Sequence, residues 1–289
     1  MLIEKAIGDA YGACFEYMPA DFVQQHNTLT GYPQHPVLNI SPGKYTDDTQ
    51  MALALTEVLV SEKPWTPSVL ADQILECFKR DPREGYTSGL YQLFQEVDSG
   101  KQLLSRIVAT SDSSGAAMRS APLGIISTMD EVMEKAKIQA RLTHNTEMGI
   151  KSAQAVALAA HYMFYGVGPK AKLGQFLEEK LLYEWDEPWT GVVGRKCWMS
   201  VRAAVTAIKN SQTMSELLKE SVSFTGDTDT VAAIALAIGA HCEEIKQDLP
   251  KPLIDGLERG DYGYDYIKQM NDKLLMLSGR GPVTVSQVS

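Results

Sequence analysis

The chain has 289 residues, with 36 acidic against 27 basic side chains and a formal charge of −9, so it carries no general basic field for gripping nucleic acid. Hydrophobic residues make up 44% and charged residues 22%, proportions that disfavour wholesale disorder. No apolar run reaches the roughly 18 residues of a membrane-spanning helix, the longest being Val231 to Ala240 before His241.

Helical spacing starts at the N-terminus. Gly8-Asp9-Ala10-Tyr11-Gly12-Ala13-Cys14-Phe15-Glu16 spaces two glycines four apart, a pattern for close helix packing, and spacing alone leaves the role of Glu16 open. Met1-Leu2-Ile3-Glu4-Lys5 lacks the basic start and apolar middle of a signal peptide, and the expected location is cytoplasmic. Alternation of period two is confined to a short run at Val37-Leu38-Asn39-Ile40. Apolar steps of three and four then recur in Met51-Leu55-Val58-Leu59, Val69-Ile74-Leu75-Phe78, Leu90-Leu93-Phe94-Val97, Val132-Ala136 and Ala153-Val156-Ala157-Ala160. They continue through Leu173-Leu177-Leu181, Val201-Val205-Ile208 and Ile234-Ile238. Between them stand short breakers such as Ser41-Pro42-Gly43, Asp81-Pro82, Ser113-Ser114-Gly115 and Pro250-Lys251-Pro252, none long enough for an interdomain linker. The expectation is an all-α chain with one domain over residues 1–277 and a flexible tail over 278–289. Cys14, Cys77, Cys197 and Cys242 form no Cys-x-x-Cys pair and read as small core residues.

Two oxygen-rich turns each open an apolar helix: Thr46-Asp47-Asp48-Thr49 before Met51-Ala52-Leu53-Ala54-Leu55, and Gly226-Asp227-Thr228-Asp229-Thr230 before Val231 to Ile238. Either turn alone is explained by helix capping and by acids offsetting the helix dipole. The second helix is apolar on nearly every face and belongs in the centre, so its acids are carried inward, where carboxylates need a partner or a cation. Carboxylate and hydroxyl oxygens suit Mg²⁺, Mn²⁺ or Ca²⁺ rather than zinc. An EF-hand is excluded, because Ala235 stands six residues after Asp229 and no bidentate glutamate closes the loop.

These pieces, together with Tyr45, Ala116-Met118-Arg119, Ala121-Pro122 and Thr143-His144, follow one another in an order that resembles the ADP-ribosylglycohydrolase family over roughly residues 5 to 275. The resemblance implies a compact single-domain orthogonal helical bundle around a dinuclear site of Mg²⁺ or Mn²⁺. It places Thr46, Asp47 and Asp48 on one side of that site and Asp227, Asp229 and Thr230 on the other. Glu16 matches the family's mobile glutamate, and Gly115, Ala116, Met118 and His144 would line the ADP-ribose pocket. Ser113-Ser114-Gly115 departs from the family's Gly-Asn-Gly, which bears on how a diphosphate is cradled.

The activity implied is removal of ADP-ribose from modified protein side chains, arginine-linked adducts first, with Glu16 or Asp229 as general base and Asp48 beside them. The alternatives are another ADP-ribose adduct (serine-linked, nucleic-acid-linked or small), phosphoester cleavage, or a non-catalytic binding or structural role of the crystallin kind. A monomer with no membrane or nucleic-acid partner is expected, although Lys44 or Arg83 could give a local basic mouth. Arg119 is expected in a structural ion pair. His26, His35, His161 and His241 are expected to be solvated or packed, as are Tyr183, Trp185, Trp189 and Trp198.

Overall fold

Apolar residues three and four positions apart give each helix one face to bury. The computed structural model describes residues 1–279 and folds them into fifteen α-helices. They are α1 (Leu2–Gly12), α2 (Ala20–His26), α3 (Asp47–Val60), α4 (Pro67–Arg80), α5 (Ser88–Glu96), α6 (Gly100–Arg106), α7 (Gly115–Met118) and α8 (Met129–Arg141). They continue with α9 (Glu147–Phe164), α10 (Leu173–Leu181), α11 (Cys197–Asn210), α12 (Met214–Ser223), α13 (Thr228–Gly239), α14 (Lys251–Gly256) and α15 (Tyr264–Leu277). Among the described residues there is no strand, only isolated backbone bridges, and Val37 to Ile40 is loop. The chain is all-α, as its periodicity predicts. The tail expected from Ser278 falls, from residue 280 onward, outside the described residues.

The apolar helix α13 lies at the centre, with all twelve of its residues buried. Helix α1 runs against it at backbone distance. A Cβ on Gly8 would stand 2.5 Å from the Ala232 carbonyl oxygen, and one on Gly12 would stand 2.5 Å from the Thr228 oxygen. The two glycines therefore hold the last turn of α1 beside the first turn of α13, which delivers Glu16 next to Asp229.

Two apolar cores flank this contact. The larger joins α1, α9, α11, α12, α13 and α15, while the smaller joins Met51, Leu55 and Val58 of α3 to α4, Phe94 of α5 and Leu103 of α6. Met118 closes the smaller core from α7. The N-terminus of α3 and the N-terminus of α13 thus open towards one cleft between the cores.

Candidate active site

The α3 turn is built from α1. Asp9, fully buried, accepts the Thr46 amide at 3.0 and 3.1 Å, the Thr46 hydroxyl at 2.8 Å and the Thr49 amide at 2.8 Å. The Thr46 hydroxyl in turn accepts the Asp48 amide at 3.4 Å. With the Glu84 carbonyl taking the Asp47 amide, these two residues satisfy the donors that open α3, which frees the carboxylates of Asp47 and Asp48 from capping. One oxygen of Asp48, Oδ1, is buried without a hydrogen-bond partner, and the other accepts the Thr230 hydroxyl at 3.4 Å. Asp47 donates its amide to the Glu84 carbonyl at 3.0 Å.

The α13 turn is strained instead. Thr225 has φ 62° and Gly226 φ 83°, a left-handed excursion that is uncommon for a β-branched residue and tends to be held at functional sites. The Asp227 amide donates to Val193 at 3.0 Å, and its carboxylate accepts the Ser200 hydroxyl at 3.0 Å. Asp229 accepts the Thr230 amide at 2.9 Å. Glu16, just past α1, Asp227 and Asp229 each offer an oxygen within 4.8 Å of the others'.

Burial and neighbouring carboxylates push Asp47, Asp48 and Asp229 well above the usual carboxylate range. Burial, then the charge of Asp227, raises Glu16 to about 7. Two cations are enclosed with them. Lys5, fully buried one turn before Asp9, donates to the Met118 carbonyl at 2.7 Å, and burial holds its ammonium below the usual value against the pull of Asp48. Arg119, also fully buried, donates to Gln139 and Thr143 rather than to a carboxylate, so the ion pair expected for it gives way to neutral acceptors. With all six carboxylates (Asp9, Glu16, Asp47, Asp48, Asp227, Asp229) ionised and Lys5 and Arg119 charged, the site would carry four net negative charges, as many as two divalent ions would neutralise.

The cleft above these acids measures about 870 Å³, within the range of small-molecule sites. Glu16, Asp47, Asp48, Asp227, Asp229 and Thr230 line it, and so do Gly115, Met118 and His144. Thr46 stands behind Asp47, and Ala116 is fully buried with its carbonyl on Ser120 and Gln139; neither reaches the cleft surface. His144 meets the Thr143 hydroxyl at 2.6 Å through Nδ1 and the Ser113 hydroxyl at 3.1 Å through Nε2, and burial with Arg119 nearby lowers it to about 3, so the ring is neutral. No basic mouth forms at Arg83: it is buried, stacked 3.8 Å from the Tyr45 ring centre and paired with Asp81 and Glu258. Trp185, Trp198, Trp189 and Tyr183 pack together away from the cleft.

Sequence reasoning passed over four contributors. Lys5 carried a signal, since it precedes Asp9 by four residues on one helix face. Tyr17 follows Glu16 directly but carries no motif of its own, and Ser200 and Arg195 carried no signal because they reach the site only by chain folding.

Fold and site together define an all-α protein with acid-opened helices facing one polar cleft. The family model for ADP-ribosylglycohydrolase matches residues 1–282, and the chain belongs to that family. It is 26% identical to the ADP-ribosyl-[dinitrogen reductase] glycohydrolase of Rhodospirillum rubrum over 95% of this chain and 94% of that protein. It is 30% identical to mouse ADP-ribosylhydrolase ARH3 over 61% of this chain and 50% of that one, so the match spans about half the length of the ARH3 relatives. A solved structure described as an ADP-ribosylglycohydrolase-related protein complex superposes with a TM-score of 0.73 at 23% identity, covering 96% of this chain and 95% of that one. No helix among the described residues is long and apolar enough to cross a membrane.

Proposed function

We propose that the chain is a metal-dependent hydrolase that removes ADP-ribose from modified protein side chains, with arginine-linked adducts as its preferred substrates. The observation that carries this reading is the convergence of carboxylates from α1, α3 and α13 on one cleft floor, with Asp48 Oδ1 buried and unpartnered. Such a group takes either a proton or a cation, and two ions, Mg²⁺ or Mn²⁺, fit its oxygen donors. Asp47, Asp48, Asp227 and Asp229, with the hydroxyl of Thr230, would hold them, whereas the Thr46 hydroxyl, expected among the ligands, is committed to Asp9 and the Asp48 amide. Bound there, the ions would supply Lewis-acid stabilisation of the distal ribose and its attacking water.

The chain's own residues do the rest. A carboxylate near neutral pKa is suited to take a proton from water at pH 7, and Glu16, raised to about 7 in the metal-free protein, is the first candidate for that role. Asp229 is the second candidate for that proton. Gly115, Met118 and neutral His144 would orient the ADP-ribose, while Ser113 and Ser114 replace backbone approach by hydroxyl contacts. The reading takes the enzyme to be a cytoplasmic monomer, in keeping with four free, buried cysteines.

A second reading rests on Arg195. Its guanidinium stands 6.0 Å from the Tyr17 ring centre, beside Glu16 at the mouth. A cation at the mouth disfavours an arginine leaving group and favours a neutral, oxygen-linked one such as serine. Release of free ADP-ribose from arginine-, serine- and DNA-linked substrates, with and without Mg²⁺ or Mn²⁺, tests both. Metal-dependent release from arginine adducts supports the first reading, release from serine adducts alone supports the second, and no release from any overturns the hydrolase.

A further inference from the structure

His35 lies in the loop between α2 and α3 and is 5% exposed. Two backbone amides point at one of its ring nitrogens, Val37 at 3.1 Å and Leu38 at 2.7 Å from Nδ1. A nitrogen that accepts two N–H groups carries no proton, so the neutral ring holds its hydrogen on Nε2. Nε2 stands 3.0 Å from the Glu16 carbonyl oxygen and donates to it.

The segment of Glu16, matched in sequence to a mobile glutamate, is held here through its backbone. It follows a single 3-10 turn, Ala13–Phe15, and precedes Tyr17 at φ 53°, in the left-handed region that a tyrosine rarely adopts. The Tyr17 amide donates to the Gly226 carbonyl at 2.8 Å, in the strained turn that carries Asp227. The Glu16 backbone is thus tied on one side to His35 and on the other to the α13 turn, while its carboxylate meets those of Asp227 and Asp229.

We propose that His35 is a positioning residue: its Nε2–H bond to the Glu16 carbonyl, with the tautomer fixed by the Val37 and Leu38 amides, sets the Glu16 carboxylate in place for proton abstraction. The inference rests on the functional reading above for its kinetic consequence, but its structural half stands on the chain alone. Val37 and Leu38 are themselves 80% and 40% exposed, so the loop gains little from apolar burial, and the ring carries the connection to Glu16.

Two conservative variants separate positioning from bulk packing. Asn at position 35 keeps an acceptor where Nδ1 stands and loses the reach to Glu16, whereas Gln keeps an N–H near Nε2 and loses the acceptor. His35→Asn is expected to keep its Tm within a few degrees, to lower kcat at least tenfold and to leave KM within twofold; His35→Gln is expected to recover most of kcat. An Asn variant with wild-type kcat, or parallel loss of Tm and activity in both variants, overturns the proposal. Hydrogen exchange of the Tyr17 amide, measured without metal or substrate, gives a readout independent of turnover. It is expected to quicken at least tenfold in His35→Asn and to stay near wild type in His35→Gln, and unchanged exchange in the Asn variant overturns the latch. Nitrogen NMR of the wild-type ring covers the case of a variant that does not fold, because a proton found on Nδ1 overturns the assignment. Absence of any ADP-ribose release by the wild type would sink the functional reading and leave the exchange result to decide the latch.

Discussion

The two acid turns look alike in sequence and are built differently. At α3 the backbone donors are satisfied by a third carboxylate, Asp9, reaching across from α1, and by the Thr46 hydroxyl. At α13 no side chain of Asp227 caps the helix; the turn is held by Val193 and Ser200 and by two consecutive residues at positive φ. One turn is relaxed and braced by charge, the other strained and braced by neutral contacts. Both arrangements turn carboxylate oxygens into the cleft, although at α13 one oxygen of Asp229 still accepts the first-turn Thr230 amide.

The largest effect should come from removing the brace at α3. Asp9→Ala leaves two buried amides and a hydroxyl without an acceptor and Lys5 with less compensation, and is expected to cost about 3–5 kcal/mol of stability, measured by urea denaturation. A loss below about 1 kcal/mol would show that α3 does not depend on α1 for its cap.

Next come the freed oxygens themselves. Asp48→Asn and Asp229→Asn should each lower turnover by about 10²–10³, some 3–4 kcal/mol in the barrier, while raising the Tm of the metal-free protein because each removes a mutually repelling charge. Added Mg²⁺ should then stabilise the variants less than the wild type. Equal metal stabilisation in all three proteins would remove these carboxylates from the cation site.

A pH experiment follows from Glu16. Its folded value of about 7 exceeds the unfolded value near 4.3, so between the two the metal-free folded state holds the extra proton. Stability contributed by that proton is present at acid pH and is lost as pH rises through about 7. With metal bound the trend should reverse, since ligation requires the deprotonated carboxylates. Denaturation at pH 5 and pH 8, in chelator and in Mg²⁺, checks both signs.

The smallest change addresses the α13 brace. Ser200→Ala removes one hydrogen bond to Asp227 and is expected to cost about 1 kcal/mol in stability and up to tenfold in turnover. A loss as large as that of Asp229→Asn would mean that the hydroxyl does more than orient its neighbour.

Much of this was legible in the chain. Three- and four-residue apolar spacing predicted an all-α fold, and the all-round apolar character of Val231 to Ile238 predicted a central helix, because local periodicity reports which faces must leave water. The order of short motifs pointed to the family, and it marked Asp47, Asp48, Asp227, Asp229 and Glu16, all of which line one cleft. Arg83 and Arg119 were misjudged for one reason: a charged residue in a polar loop or after a glycine reads as solvated or ion-paired, and only the fold shows an arginine buried against a tyrosine ring or a glutamine.

Sequence by itself determined the helices, their buried faces and the chemistry of the donors, since these follow from side-chain identity and spacing within a few turns. Only the tertiary structure decided that Asp9 caps α3, that Ser200 braces Asp227, that His35 holds Glu16, and that Lys5 and Arg119 share the interior with the acids. Each joins residues far apart in the chain, and a hydrogen bond between distant segments depends on the path of the backbone, which no local pattern encodes.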